Sequence, residues 1–305
     1  MDAGRPFAIG PLWKSAIQAV KDTWAALKRE GPGRVQFWFI ALLIGIAAGF
    51  AALFFRKGIE WLQRTLYGTS DPQHLHSFAE TLPWYMILII PVCGGAVVGL
   101  ILNRFTSDGR VHSVADVIEG AALHDGRVET KAGLASAAAS LITLGSGGSS
   151  GREGPVVHLA GVVSTWVSSR IGADGITGRE LLGCAVAAAV SASFNAPIAG
   201  ALFALEVVLR HFAVHAFAPI VVASAAGAVI NRLAFGDVTE FRLMEEGGLD
   251  FYIELPAFLI LGILSGLVAV AMMKSIFLAE DVADRVQGRT GIPRFLRPAV
   301  AGLML

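Results

Sequence analysis

The 305 residues include 24 basic and 24 acidic side chains, so the formal net charge is zero. Hydrophobic residues make up 54%, charged residues only 16%, and mean hydropathy is +0.64. Soluble domains average about 25% charged residues. The composition therefore excludes an ordinary soluble domain, and the lack of a basic excess excludes a nucleic-acid binder.

Residues 14–29 set Ile17, Val20, Trp24 and Leu27 against Lys14, Lys21, Lys28 and Arg29. That spacing predicts an amphipathic helix on a membrane surface, within an N-terminal segment 1–34. The first strongly apolar run begins near Val35, too late for a cleavable signal peptide. Val35–Phe55, Tyr85–Asn103, Phe212–Ile230 and Leu255–Met273 are weakly charged or charge-free. Each approaches the ~20 residues a helix needs to cross ~30 Å of hydrocarbon. Lys28, Arg29 and Arg34 precede the first run, which favours a cytoplasmic N-terminus. Cys93 and Cys184 both lie in apolar runs and read as small buried hydrophobes, with no disulfide or metal role.

Residues 132–211 differ. Alanine and glycine dominate, as in Ala132–Ser140 and Ala185–Ala192, and small residues let helix backbones approach closely in a bundle. Gly145–Gly151 and Phe194–Pro197 break the apolar segments. Irregular backbone at membrane depth is tolerated only inside protein or beside a polar cavity. Broken hydrophobic segments of this kind point to a transporter's substrate site.

Two of these segments carry chemistry. The first is Leu144-Gly-Ser-Gly-Gly-Ser-Ser-Gly-Arg-Glu-Gly-Pro155. A glycine-rich turn leads into Pro155, which suits the first turn of a helix. Free N–H groups and the positive end of the helix dipole then face the loop, forming an anion site without a full cation. The run lacks the Gly-Lys-Ser/Thr ending of a nucleotide-binding loop. Glu153 lies inside it, where a carboxylate can occupy the anion site itself and vacate it on protonation. Arg152 offers its backbone amide. The second segment runs from Ser191 to Glu206. Asn195 suits an N-cap and Pro197 an early helical turn. Glu206 follows the charge-free stretch Leu181–Leu205, with Arg210 four residues on as an ion-pair partner.

Gly-Arg-Glu-Gly-Pro at 151–155, after a Gly-Ser-Gly-Gly-Ser run, resembles the G-[KR]-E-G-P signature of the CLC chloride channel and transporter family. Phe-Asn-Ala-Pro-Ile-Ala-Gly at 194–200, with the downstream Leu-Phe-x-x-Glu, resembles that family's next signature. The resemblance implies that Glu153 is the gating acid competing with chloride. It places Gly151, Arg152, Glu153 and Gly154 in the anion site through their backbone amides. His112-Ser-Val-Ala-Asp116 falls where the family has G-S-G-I-P or G-H-G-V-P-E. His112 then stands at the anion-coordinating serine, and a register shifted by one puts Ser113 there. Glu206 falls on the first of a pair of glutamates found in proton-coupled members. The second, the internal proton-transfer acid, falls on Val207, which cannot carry a proton. Glu206 itself and His158 are the alternatives in this chain.

The expected fold is all-α: a polytopic membrane bundle of tilted and broken helices, the first half of an inverted repeat, over residues 35–305. Helices are predicted near 35–66, 84–105, 130–145, 154–170, 178–193, 197–211, 214–233 and 255–286, with a shorter one at 113–123. The resemblance implies a homodimer, with residues 197–233 contributing to the contact. It also implies a missing second half, since the chain stops within Arg297–Leu305. The expected function is transport of chloride or a similar small anion across the lipid bilayer of a bacterial inner membrane. Val207 tilts this toward a passive channel, with a chloride/H+ antiporter as the alternative. A non-conducting subunit acting only in assembly is the reading from another class. No nucleotide loop, metal-ligand spacing or Ser-His-Asp arrangement is legible, so no enzyme activity, cofactor or metal is expected.

Overall fold

The computed structural model describes residues 33–68, 82–210, 214–236 and 251–304. The surface helix expected over 14–29 lies outside them. Among the described residues every secondary-structure element is a helix. The order is α1 (Arg34–Tyr67), α2 (Trp84–Phe105), α3 (Val114–Leu123), α4 (Thr130–Gly145), α5 (Glu153–Ile171), α6 (Gly175–Phe194), α7 (Pro197–Phe203), α8 (Val214–Phe235), α9 (Phe251–Thr290) and α10 (Arg297–Gly302). A π-helical segment, Ala204–Leu209, continues α7, and a 3-10 turn, Arg294–Leu296, precedes α10. The all-α expectation holds, and each helix predicted from residue 35 onward has a counterpart.

Four described helices are long and apolar enough to cross a membrane: Val35–Tyr67, Trp84–Phe105, His215–Phe235 and Leu255–Thr290. On α1, Trp38, Phe39, Leu43, Phe50 and Phe54 point away from the rest of the chain. In water such a face is a liability; in a bilayer it meets lipid. At about 1.5 Å per residue α1 is roughly 50 Å long, more than the ~30 Å of hydrocarbon requires.

The core sits around α6. Every residue from Leu181 to Ala192 is buried, and α6 packs on α1, α5, α7 and α8. A helix apolar on all sides demands this position. Its alanines, Ala185 and Ala187 to Ala189, have no exposed surface and keep its neighbours close. Asp174 starts the helix by accepting a hydrogen bond from the Thr177 amide at 2.8 Å. That cap is why α6 begins at Gly175, three residues before the expected start.

The segment after α6 departs from expectation. Asn195 is not the N-cap of α7: it ends α6 in the left-handed region, with φ of 54°. Asparagine tolerates that conformation. Its Oδ1 accepts from Arg232 Nε at 2.8 Å, which commits the oxygen that capping would have used. Ala196 precedes α7 instead.

Close approach of α1 and α8 rests on Gly45. A Cβ there would lie 2.7 Å from the Ala223 Cα and carbonyl oxygen. We expect Gly45→Val to force the helices apart and destabilise the protein by about 1–3 kcal/mol. Thermal unfolding in detergent would register this as a lowered midpoint, whereas Gly262→Ala, with open space around it, should leave the midpoint within a degree or two of wild type.

Candidate functional site

The glycine-rich loop between α4 and α5 is braced from α1. Tyr67 Oη donates to the Ser146 carbonyl at 2.8 Å, and Gln63 Nε2 donates to the Leu144 carbonyl at 3.2 Å. Those carbonyls belong to the end of α4, where the helix itself provides no further donors. Gly147 turns the chain with φ of +92°, and its missing side chain makes room for the Tyr67 hydroxyl. Gly148 then returns its amide to the Thr143 carbonyl at 2.8 Å. The loop therefore has one shape before α5 begins.

Helix α5 starts at Glu153 itself, with Arg152 at the N-cap and Pro155 in the first turn. The Arg152 side chain provides no cap, and Glu153 supplies an acidic group in the first turn. The Glu153 carboxylate has two neighbours. Oε1 lies 3.6 Å from Arg152 Nε, and Oε2 sits 3.3 Å from where a Gly151 side chain would begin. It lies against its own turn and is 40% exposed within this chain.

A second helix start meets this one. A Cβ on Gly154 would lie 3.2 Å from Ser113 Cβ and 4.0 Å from the Val114 amide nitrogen. Ser113 is the N-cap of α3. The positive dipole ends of two helices thus approach one another. Asp116 braces α3 by accepting from the Ser113 amide at 2.7 Å, and the His112 amide donates to Ser136 Oγ at 2.8 Å, tying the turn to α4.

The sequence-predicted residues fall into three groups. Gly151, Arg152, Glu153 and Gly154 form one turn, and Ser113 touches it. His112 carries its ring toward acids: Nδ1 is 3.7 Å from Asp116 Oδ1, Nε2 is 3.5 Å from Asp108 Oδ1, and the His158 ring is 5.5 Å away. Glu206 stands apart, exposed on the π-helical segment that packs against α3 and α6. No ion pair joins it to Arg210 among the described residues. The π turn widens the spacing and Arg210 is left-handed, with φ of 57°, so the four-residue stacking of an α-helix is lost.

Asp108 and Asp116 flank Arg110 on the short connection and first turn around α3. Helix α3 has ten residues, about 15 Å, too short to span a bilayer. Burial alone would raise both carboxyl pKa values. The Arg110 amide and guanidinium outweigh it at Asp108. The Arg110 hydrogen bond and the Ser113 amide outweigh it at Asp116. Both acids therefore sit below the usual carboxylate value and stay ionised at neutral pH. Sequence reading missed Tyr67 and Gln63, whose only sequence signal is their place at the end of the first long apolar helix.

The voltage gated chloride channel family matches residues 94–305. The chain belongs to this family. A ClcB-like relative from Ralstonia nicotianae is 31% identical over 275 residues, covering 87% of this chain and 61% of the relative. The voltage-gated ClC-type chloride channel ClcB of Escherichia coli O81 is 31% identical over 204 residues, 64% of this chain and 46% of its own length. This chain thus spans less than two thirds of the relatives it matches. Among solved structures, a slow cyanobacterial Cl−/H+ antiporter superposes with a TM-score of 0.72 at 20% identity, covering 89% of this chain and 63% of the antiporter. A CLC-type fluoride/proton antiporter gives 0.65 at 21% identity, covering 88% and 63%. These likenesses establish the CLC fold, and with the apolar helices they make the chain an integral, multi-pass membrane protein.

We expect Tyr67→Phe to remove the brace on the loop and cost about 1 kcal/mol. The readout is thermal unfolding together with proteolysis after Arg152, which should quicken in the variant and stay at the wild-type rate for Tyr85→Phe.

Proposed function

We propose that this chain forms one wall of a pathway for chloride or a similar small anion, with Glu153 as its gate. The observation that carries the reading is the approach of two helix starts, α3 at Ser113 and α5 at Glu153, which brings the free amides of both ends close together. Distributed partial charges attract an anion and still release it; a buried ammonium would hold it too tightly. The Glu153 carboxylate sits beside Gly151 in the same turn and competes with an anion for its amides. Protonation removes its charge and leaves the site to the anion. Family membership supports the transport class.

Within the site, Gly151, Arg152, Glu153 and Gly154 contribute amides. The contact at Gly154 favours Ser113 over His112 as the coordinating side chain. A hydroxyl donates one hydrogen bond without adding charge. Val207, beside Glu206, supports passive conduction. Proton-coupled exchange is the second reading, favoured by the exposed carboxylate of Glu206 on a π-helical segment, since such segments recur at functional sites. Residues 1–34 form a cytoplasmic segment and 35–305 a transmembrane unit that completes its pathway with further chain. It works as a homodimer in a bacterial inner membrane, and exposed apolar residues at Ile198, Leu202 and Leu233 suit the dimer contact.

Reconstitution of the full-length gene product in liposomes tests this. Chloride efflux should be saturable and faster at acid pH, and Glu153→Gln should abolish that pH dependence. Absence of efflux would leave only an assembly role. Uphill proton movement driven by a chloride gradient would replace the channel reading with exchange. Ser113→Ala should weaken chloride binding by about 1 kcal/mol, roughly fivefold, by calorimetry in detergent, while His112→Ala leaves it unchanged.

A further inference from the structure

Beside the proposed anion site lies a cluster with opposite chemistry. His112, Asp116 and His158 each present one donor atom, and these atoms all fall within 4.8 Å of one another. His158 is fully buried and His112 is 8% exposed. Among the described residues, none of their four ring nitrogens has a hydrogen-bond partner. Two buried imidazoles side by side, each with an unused lone pair, are an uncommon expense for packing alone. All three side chains line one open cavity of about 380 Å³, which gives an ion a way in.

We propose that this cluster binds a divalent transition-metal ion of the Zn2+ type, through the His112 and His158 imidazoles and the Asp116 carboxylate. Two nitrogens, one oxygen and an open fourth position suit such an ion and not Mg2+ or Ca2+, which prefer all-oxygen shells. A tetrahedral ion with bonds of about 2.1 Å spaces its donors roughly 3.4 Å apart. His112 Nδ1 and Asp116 Oδ1 already stand at 3.7 Å, so a small movement of the His158 ring closes the set. The partners behind the ligands are in place. Asp108 Oδ1 is 3.5 Å from His112 Nε2, the arrangement in which a carboxylate orients a metal-bound imidazole. The Glu129 carbonyl approaches the His158 ring without completing a hydrogen bond. Asp116 Oδ2 is held by the Ser113 amide.

Arg110 opposes the ion, because its guanidinium pairs with Asp108 and Asp116, each at 2.6 Å. Two carboxylates still stand against that one guanidinium. The cavity wall adds Glu119 and Glu129 against Arg127, with His124 as a further nitrogen. Occupancy would pin the start of α3 to the second turn of α5, next to the Ser113–Gly154 contact. The site stands on its own donors and holds whether or not the anion reading does.

The test is Zn2+ titration of the purified full-length protein in detergent by calorimetry, with Co2+ absorption as a coordination probe. One saturable Zn2+ site per chain is expected, undiminished by millimolar Mg2+, and the Co2+ protein should show the intense visible bands of a four-coordinate ion. His158→Ala and His112→Ala should each weaken Zn2+ binding by more than the roughly 100-fold that loss of a partner behind a ligand costs. Retention of wild-type affinity in either variant overturns the assignment. A wild-type Co2+ spectrum of the six-coordinate aqua ion also overturns it, with no variant needed. Flux is not measured, so failure here and failure of the transport reading are separate results.

Discussion

The contact between Gly154 and Ser113 joins the starts of α5 and α3, and the candidate site is arranged around it. With no side chain on Gly154, the first turn of α5 can sit against the start of α3, and even a methyl group would crowd Ser113 at 3.2 Å. Each helix start leaves amide hydrogens without intrahelical partners. Inside a membrane protein those amides cannot be left facing lipid. Bringing two such ends together concentrates weak positive potential without a desolvated cation, whose burial would be costly.

Everything nearby holds that arrangement in place. Tyr67 and Gln63 reach from α1 to the carbonyls at the end of α4, so the loop enters α5 from a fixed direction. Asp116 and Ser136 hold the turn before α3 through backbone amides. The supporting bundle depends on small residues. Without a solvent-driven hydrophobic effect between helices in lipid, close backbone contact supplies the packing energy, and buried α6 meets its neighbours through alanine and glycine. Helix α9 is the opposite case: none of its most apolar window is buried within the chain, so its surface faces lipid or other protein.

Acids and bases are paired around each of the two helix starts. The loop side carries Glu153 against Arg152. The α3 side carries Asp108 and Asp116 against Arg110, with His112 and His158 behind. The ionised pair of aspartates draws the His112 ring toward itself, and Ser113 is left nearest the loop. A one-residue difference in register thus separates two chemistries: a neutral hydroxyl beside the first turn of α5, and an imidazole beside carboxylates.

Composition and motif spacing determined that this chain is an all-α membrane protein, that its helices break at Gly145–Gly151 and Phe194–Pro197, and that Glu153 sits at a helix start. Those features are local. They follow from apolar run length, from glycine and proline in single turns, and from the free amides of one helix end. Only the tertiary structure decided which residues meet across the bundle. Asn195 looked like a cap for the helix after it, yet Arg232, 37 residues on, takes its oxygen and the asparagine closes the helix before it. Glu206 and Arg210 looked like a helical pair until the π turn separated them. His158 lies far along the chain from His112 and Asp116, with no spacing to announce a shared site. Ser113 comes beside Gly154, and His112 beside Asp108 and Asp116, through packing between α3 and α5 that no sequence spacing announces. Contacts between distant segments are a property of the packed helices, and no window of sequence contains them.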